Sequence, residues 1–413
     1  MKQQKLQISY LLLAALLGTS CSNENDPITP IDKTDAIELG ITAGVSLTKS
    51  AINGGAQSGA SSEMQSLAVY AVGGTGSYAN GNNYAIYTSK ADGWTRKDND
   101  KIFLTNEVAT IYAYHPAYQP KTGGIMIGTD ALKINEGTPS ATATVNISVF
   151  PGSVAADADN KYPENIDNAD KTWQTSAWLN NTTTNTKIIS APGEIDYMYA
   201  VKANGNGTEA ATASNGKTAG STTVDAHKVS LDMKHALSMV SFRIYNDGTY
   251  ANTGKLTKIV LQNTTGSNVL SQGTDPKMNI KTGAITSGTA DDSYKATYTR
   301  FIDGGYTLIK NTGTDAATTT TTNDKASAAA KKFSILVLPD GDTKFDKNKV
   351  QVVFTIDGAD YPVTLKDPTS DNGKWKAGKN YLYTAKLSGK ELSISNVTVS
   401  EWTAATGGDL DVN

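Results

Sequence analysis

The sequence predicts an all-β fold of short, mostly antiparallel strands, on three observations. Apolar residues recur with period two in many short stretches, each bounded by clusters of Gly, Asn and Asp. Long helical or heptad periods are absent, while Gly is abundant, 37 in 413 residues, as a chain of many turns requires. That length suggests two domains, with three as the alternative.

The longest unbroken alternation comes early. IELGITAGVSL places Ile37, Leu39, Ile41, Ala43, Val45 and Leu47 on one face, with Glu38, Gly40, Thr42, Gly44 and Ser46 between them. This is the signature of a half-buried strand. Lys49 follows it, and then a loop-like stretch, Asn53–Ser62, with too few apolar residues to pack. A strand between a membrane tether and such a loop is a candidate for a detachable plug, although an ordinary first strand would carry the same pattern.

Upstream, Met1–Ser20 reads as a secretory signal peptide: Lys2 and Lys5, then an apolar run too short to span a bilayer, then small residues. Cys21 follows directly, as in a bacterial lipobox, with Gly18 where leucine is usual and Leu17 one place further back. Cys21 is therefore the expected lipidation site. Its acyl chains would anchor the protein at about 0.8 kcal/mol per buried methylene. Residues 21–35 then read as a polar tether.

The remaining strands follow in order. Leu67–Val72, Tyr84–Thr88, Trp94–Lys97 and Ile102–Thr105 are strand-like. Glu107–Pro116 is apolar on both faces and should be central, ending at its proline. Val145–Phe150 and Ile195–Val201 complete a first domain expected over 36–202. The Gly/Ala/Ser/Thr-rich segment 203–228 is expected to be a linker, and 229–413 the second domain. In Val229–Tyr245 the alternation changes phase, which predicts a bulge or strand switch near Met239. Leu256–Leu261 is a further strand. Phe333–Pro339 should be another central strand. Val350–Ile356 and Tyr361–Leu365 flank a hairpin signal that begins Asp357-Gly358. Asn380–Leu387 and Leu392–Trp402 close the series. Before them, Gly378 permits a positive φ, and Trp375, Tyr381 and Tyr383 are placed to cluster on one face.

The order MKHALSMVSFRI, FSILVLPDG, a hairpin, WKAGKNYLYTAKL and ISNVTVSEW resembles the fimbrillin family, subunits of the type V pili of Gram-negative gut and oral anaerobes. FLTNEVATIYAYHPAY and IDYMYAV resemble its earlier elements, so the likeness runs from about Ala36 to Trp402. The resemblance implies two transthyretin-like β-sandwich domains, export as a surface lipoprotein of the outer membrane, and residence in a fimbrium. It also implies proteolytic loss of the first strand and insertion of a strand from a neighbouring pilus subunit. The family's processing site usually has arginine after the first strand; Lys49 stands there in this chain. A donor strand could come from the C-terminal region, with Ile394, Val397, Val399 and Trp402 as apolar anchors. The family carries no catalytic residues.

Other chemistry is sparse. Net charge is −3, from 37 Lys and Arg against 40 Asp and Glu, and the only arginines are Arg96, Arg243 and Arg300, so nucleic acid is not an expected partner. A single cysteine excludes an intrachain disulfide and a thiolate metal cluster. His115, His227 and His235 are dispersed, and no GxSxG, HExxH or P-loop occurs. His115 at its strand end reads as solvated or hydrogen-bonded, and His235 as a satisfied core histidine. Residues 157–164 imitate a calcium loop but lack its glycine and place Lys161 at a ligand position. No enzyme, metal or cofactor is expected. Sequence alone thus favours a fimbrillin-like structural or adhesion subunit assembled by strand addition. The alternative is a monomeric glycan-binding surface lipoprotein using aromatics such as Trp173 or Trp178, with host or bacterial surface ligands.

Overall fold

The computed structural model describes residues 36–44, 66–73, 82–90, 93–96, 100–120, 127–148, 188–189, 195–217, 226–271, 273–288, 295–311, 330, 332–341, 345–389 and 391–402. Met1–Ser20, Cys21, Val45, Leu47, Lys49, Asn53–Ser62, Trp173 and Trp178 lie outside these residues. Within them the chain is all-β, as its period-two patterns predict.

The main sheet of the first half has the order Gly40–Gly44, Lys228–His235, Met198–Lys202, Ala109–His115, Ser66–Val72, Tyr84–Lys90, Gly93–Arg96, with Ala211–Ala213 also pairing Ala109–His115. Ala109–His115 is central, as two apolar faces require: Ser66–Val72 lies on one side, Met198–Lys202 and Ala211–Ala213 on the other. Ala109, Ile111 and Ala113 enter one core, whereas Tyr112 and Tyr114 enter another. The sheet is rolled. Its end strands meet where Trp94 Nε1 donates to the Ala43 carbonyl at 2.9 Å. The roll encloses Leu39, Ile41, Leu67, Val69, Ile111 and Leu231.

The second half is a pair of facing sheets. One has the order Ile188–Ile189, Lys332–Val337, Ser238–Asn246, Lys379–Ser388, Glu391–Glu401, with Ile309–Lys310 beside Ser238–Asn246. The other runs Thr297–Thr307, Lys255–Asn263, Val350–Ile356, Ala359–Thr364. Phe242 meets Phe354 edge-on at 5.8 Å, and Tyr306 meets Phe333 at 5.7 Å, so aromatic pairs join the two layers. The predicted hairpin turns on Asp357 and Gly358, at φ 48° and 80°, the two positive angles that a tight two-residue turn demands.

The strand pairing departs from the expected division of the chain. Ala211–Ala213, inside the expected linker, is a strand of the first sheet, and Lys228–His235, expected to open the second domain, is an interior strand of that sheet. The switch predicted near Met239 occurs at Ala236–Leu237: Lys228–His235 pairs with the first sheet, Ser238–Asn246 with the second. The physical reason is size. Ala211 and Ala213 are each 3% exposed, and small side chains that suit close packing against Ala109–His115 look in sequence like a segment unable to pack.

The halves are also fastened to each other. Thr144–Asn146 pairs with Lys277–Asn279, which pairs with Ile285–Thr286, so one small sheet draws strands from both. Tyr197 Oη accepts from the Ser148 N–H at 2.8 Å. The Tyr199 ring lies so close to Gly283, at φ 67°, that a Cβ there would sit 2.2 Å from it. Tyr112, Tyr114 and Tyr197 share a continuous core with Leu237, Met239 and Met278.

Candidate functional site

The N-terminal strand closes the rolled sheet at one end of its strand order. Ile37–Glu38 pairs antiparallel with Phe103–Leu104, and Gly40–Gly44 pairs in parallel with Lys228–Asp232. Leu39 is 2% and Ile41 6% exposed and Thr42 faces solvent, as the sequence alternation requires, while Ile37, Glu38, Gly40 and Ala43 are all half-buried.

Main-chain groups alternate as well. The Gly40 N–H turns inward to the His227 carbonyl at 2.9 Å. The odd-numbered residues turn to the outer edge instead. There the Leu39 N–H donates to Ile102 O at 3.0 Å, and the Leu39 carbonyl accepts from Tyr87 Oη at 2.9 Å. The Ala43 carbonyl accepts from Trp94 Nε1. Thr42 Oγ1 adds a bond to the Val229 carbonyl at 3.2 Å.

Burial of Leu39 and Ile41 contributes about 1.5–3 kcal/mol each, and each ladder bond about 1 kcal/mol net. Docking is therefore worth several kcal/mol. The parallel pairing has no counterpart in the sequence pattern, which fixes a face and not a neighbour.

The C-terminal anchors lie together on an end strand of the second half. Glu391–Glu401 pairs antiparallel with Lys379–Ser388, with a register shift beside Thr384. Ile394 is 6% and Trp402 4% exposed; Val397 and Val399 pack half-buried against the same core. These residues are thus engaged by their own chain.

Trp402 also ties this strand to the first sheet. Its main-chain N–H donates to the Gly378 carbonyl at 2.7 Å, and its ring lies flat on the His235 imidazole, centroids 3.8 Å apart and 5° from parallel. His235 Nδ1 donates to Asp196 Oδ2 at 2.8 Å, and His115 Nδ1 to the Asp196 carbonyl at 2.8 Å. His235 is the satisfied core histidine its strand phase predicts. His115 is 0% exposed, hydrogen-bonded but not solvated, and burial pushes its pKa below the ordinary histidine value. The cluster was invisible in sequence because its members are 39 and 81 residues apart. Among the described residues, no group of three or more His, Cys, Asp or Glu is arranged to hold a metal.

The aromatic block before Lys379–Ser388 is structural. Trp375, Tyr381 and Tyr383 are fully buried, and Trp375 Nε1 donates to Tyr383 Oη at 3.0 Å. The Lys376 N–H donates to Tyr381 Oη at 2.6 Å, and Gly378 takes the positive φ its position demands, 70°.

A family model described as fimbrillin-like matches residues 55–402. The chain belongs to the fimbrillin-like family. The search of curated proteins found no match. Among solved structures, this fimbrillin-like chain is similar to a protein of Bacteroides uniformis named for cell adhesion, with 17% identity over 91% of this chain and 100% of that one, TM-score 0.48. A fimbrial protein of Bacteroides vulgatus is 12% identical over 89% of this chain and 99% of its own, TM-score 0.45. A second protein named for cell adhesion, from Bacteroides ovatus, is 13% identical over 90% and 99%, TM-score 0.44.

Proposed function

We propose that this chain is a structural or adhesive subunit of a cell-surface fimbrium, exported as a lipoprotein anchored through Cys21 and assembled by strand addition. Membership of the fimbrillin-like family supports the fimbrial setting. One geometric observation carries the mechanism: the strand that completes the rolled sheet occupies its edge. Gly40–Gly44 has a strand ladder on one side only, with Lys228–Asp232, and side-chain donors on the other. Departure of residues 37–44 would cut, besides that ladder, only the two-residue pairing of Ile37–Glu38 with Phe103–Leu104.

It would leave an apolar groove lined by Leu67, Ile102, Val229 and Leu231, which a strand from another subunit can fill. Cleavage at Lys49 would make the departure permanent by breaking the covalent link. Glu391–Trp402 is the donor we favour, because it too is an edge element rich in apolar anchors. The groove must then return burial comparable to what Ile394 and Trp402 lose.

The test compares Ser50–Asn413 with Ala36–Asn413 by light scattering. The shorter form should polymerise, or bind an added Ala36–Thr48 peptide, while the longer stays monomeric. A shorter form that is a stable monomer and ignores the peptide would refute the mechanism.

A further inference from the structure

We infer that Tyr87 and Trp94 form a side-chain clamp that sets the register of whichever strand occupies the groove. A strand at the end of a sheet normally leaves alternate carbonyls to solvent. Here those of Leu39 and Ala43, four residues apart on the outer edge, each receive a side-chain hydrogen bond, from Tyr87 Oη and Trp94 Nε1, both at 2.9 Å. Tyr87 is 3% exposed and reaches its acceptor through the core of the roll. Trp94 packs half-buried against the same core, on the strand at the opposite end of the sheet order.

Both bonds are made to main-chain oxygen, so they ignore side-chain identity and read position. A phenol and an indole fixed in the sheet lie at a separation that matches carbonyls i and i+4 of one extended strand. A one-residue slip turns those carbonyls away, toward Lys228–His235, and moves the apolar side chains to solvent. Side-chain selection is added by the floor of the groove. It buries large aliphatic groups at the positions of Leu39 and Ile41, and sets a small residue, Ala43, beside Trp94. The occupant this geometry selects is an extended segment, parallel to Lys228–His235, with large aliphatic groups at its first and third positions, a small one at its fifth, and at its second a residue that clears the Lys228 side chain, as Gly40 does. As a filter on incoming subunits, the clamp rests on the strand-exchange reading above. As a hold on the chain's own strand, it does not.

The experiment is hydrogen exchange on the intact chain. Tyr87→Phe and Trp94→Phe keep an aromatic ring and delete the donor. Each should speed exchange of amides in 36–44 about fivefold, the equivalent of one hydrogen bond of about 1 kcal/mol, with Ala109–His115 unchanged. Unchanged exchange in 36–44 in both variants overturns the clamp. So does equal acceleration in Ala109–His115, which would signify general loosening. A second arm follows release of the strand from chain cut at Lys49, by gel filtration, where Tyr87→Phe should release it about fivefold faster than wild type. Equal release rates overturn the clamp's role in exchange. A strand that never leaves either protein overturns the strand-exchange reading, while the intact-chain result still decides whether the clamp exists.

Discussion

Leu39→Ala separates a detachable strand from an integral one. Leu39 is 2% exposed, and removing a buried leucine side chain costs about 2–5 kcal/mol. Ile111→Ala is the matched control. Ile111 is 1% exposed in the same core, but it sits in a strand flanked on both sides, opposite Ala71 and Ala211. The chemical loss is similar and its destination differs. If residues 36–44 undock before the sheet unfolds, the cost of Leu39→Ala falls on docking alone. About 2.8 kcal/mol would then shift the docked-to-undocked ratio about a hundredfold. The cost of Ile111→Ala falls on global unfolding. The assay is segment-resolved hydrogen exchange beside urea denaturation. Leu39→Ala should speed exchange in 36–44 by about two orders of magnitude while the urea midpoint moves little; Ile111→Ala should lower the midpoint and accelerate the whole sheet. If Leu39→Ala lowers the midpoint as much as Ile111→Ala, with exchange rising equally in Ser66–Val72, the strand belongs to the cooperative core and the reasoning fails.

Three further outcomes are expected. Cys21→Ala should abolish incorporation of a clickable fatty acid and release the protein from the membrane fraction; wild-type protein that takes up no label would contradict lipidation. A single cut between Lys217 and Ala226 should leave the two fragments co-eluting in gel filtration, because the Thr144–Asn146/Lys277–Asn279 pairing and the shared core hold the halves together; free separation would show the joint to be weak. Stability should fall with pH below about 6.5. The His115 pKa is depressed in the folded chain, so on acidification the unfolded state binds a proton that the buried ring refuses. His115→Asn should flatten that part of the urea midpoint against pH, and an unchanged slope would remove His115 as the cause.

Much of the fold was legible because strand faces are written in period two. The two-faced apolar pattern around Ile111 predicted a central strand, the phase change near Met239 predicted a bulge or a switch between sheets, and Asp357-Gly358 predicted its turn. What period two cannot encode is the identity of a neighbour. Nothing in GITAG announces a parallel partner 188 residues away in register. The small residues of Ala211–Ala213 gave no bulk signal, which moved the expected boundary into the first sheet. The buried face of the N-terminal strand was readable from Leu39 and Ile41. The donors that hold its outer edge were not, since Tyr87 and Trp94 each read as one more aromatic of a β core.

The central claim is that the N-terminal strand is a replaceable plug, and peptide mapping of surface-assembled protein tests it most directly. High-mass species stripped from cells should lack Ala36–Lys49, whereas monomer recovered from the same cells should retain it. High-mass species in which every subunit keeps Ala36–Lys49 covalently attached would contradict the account.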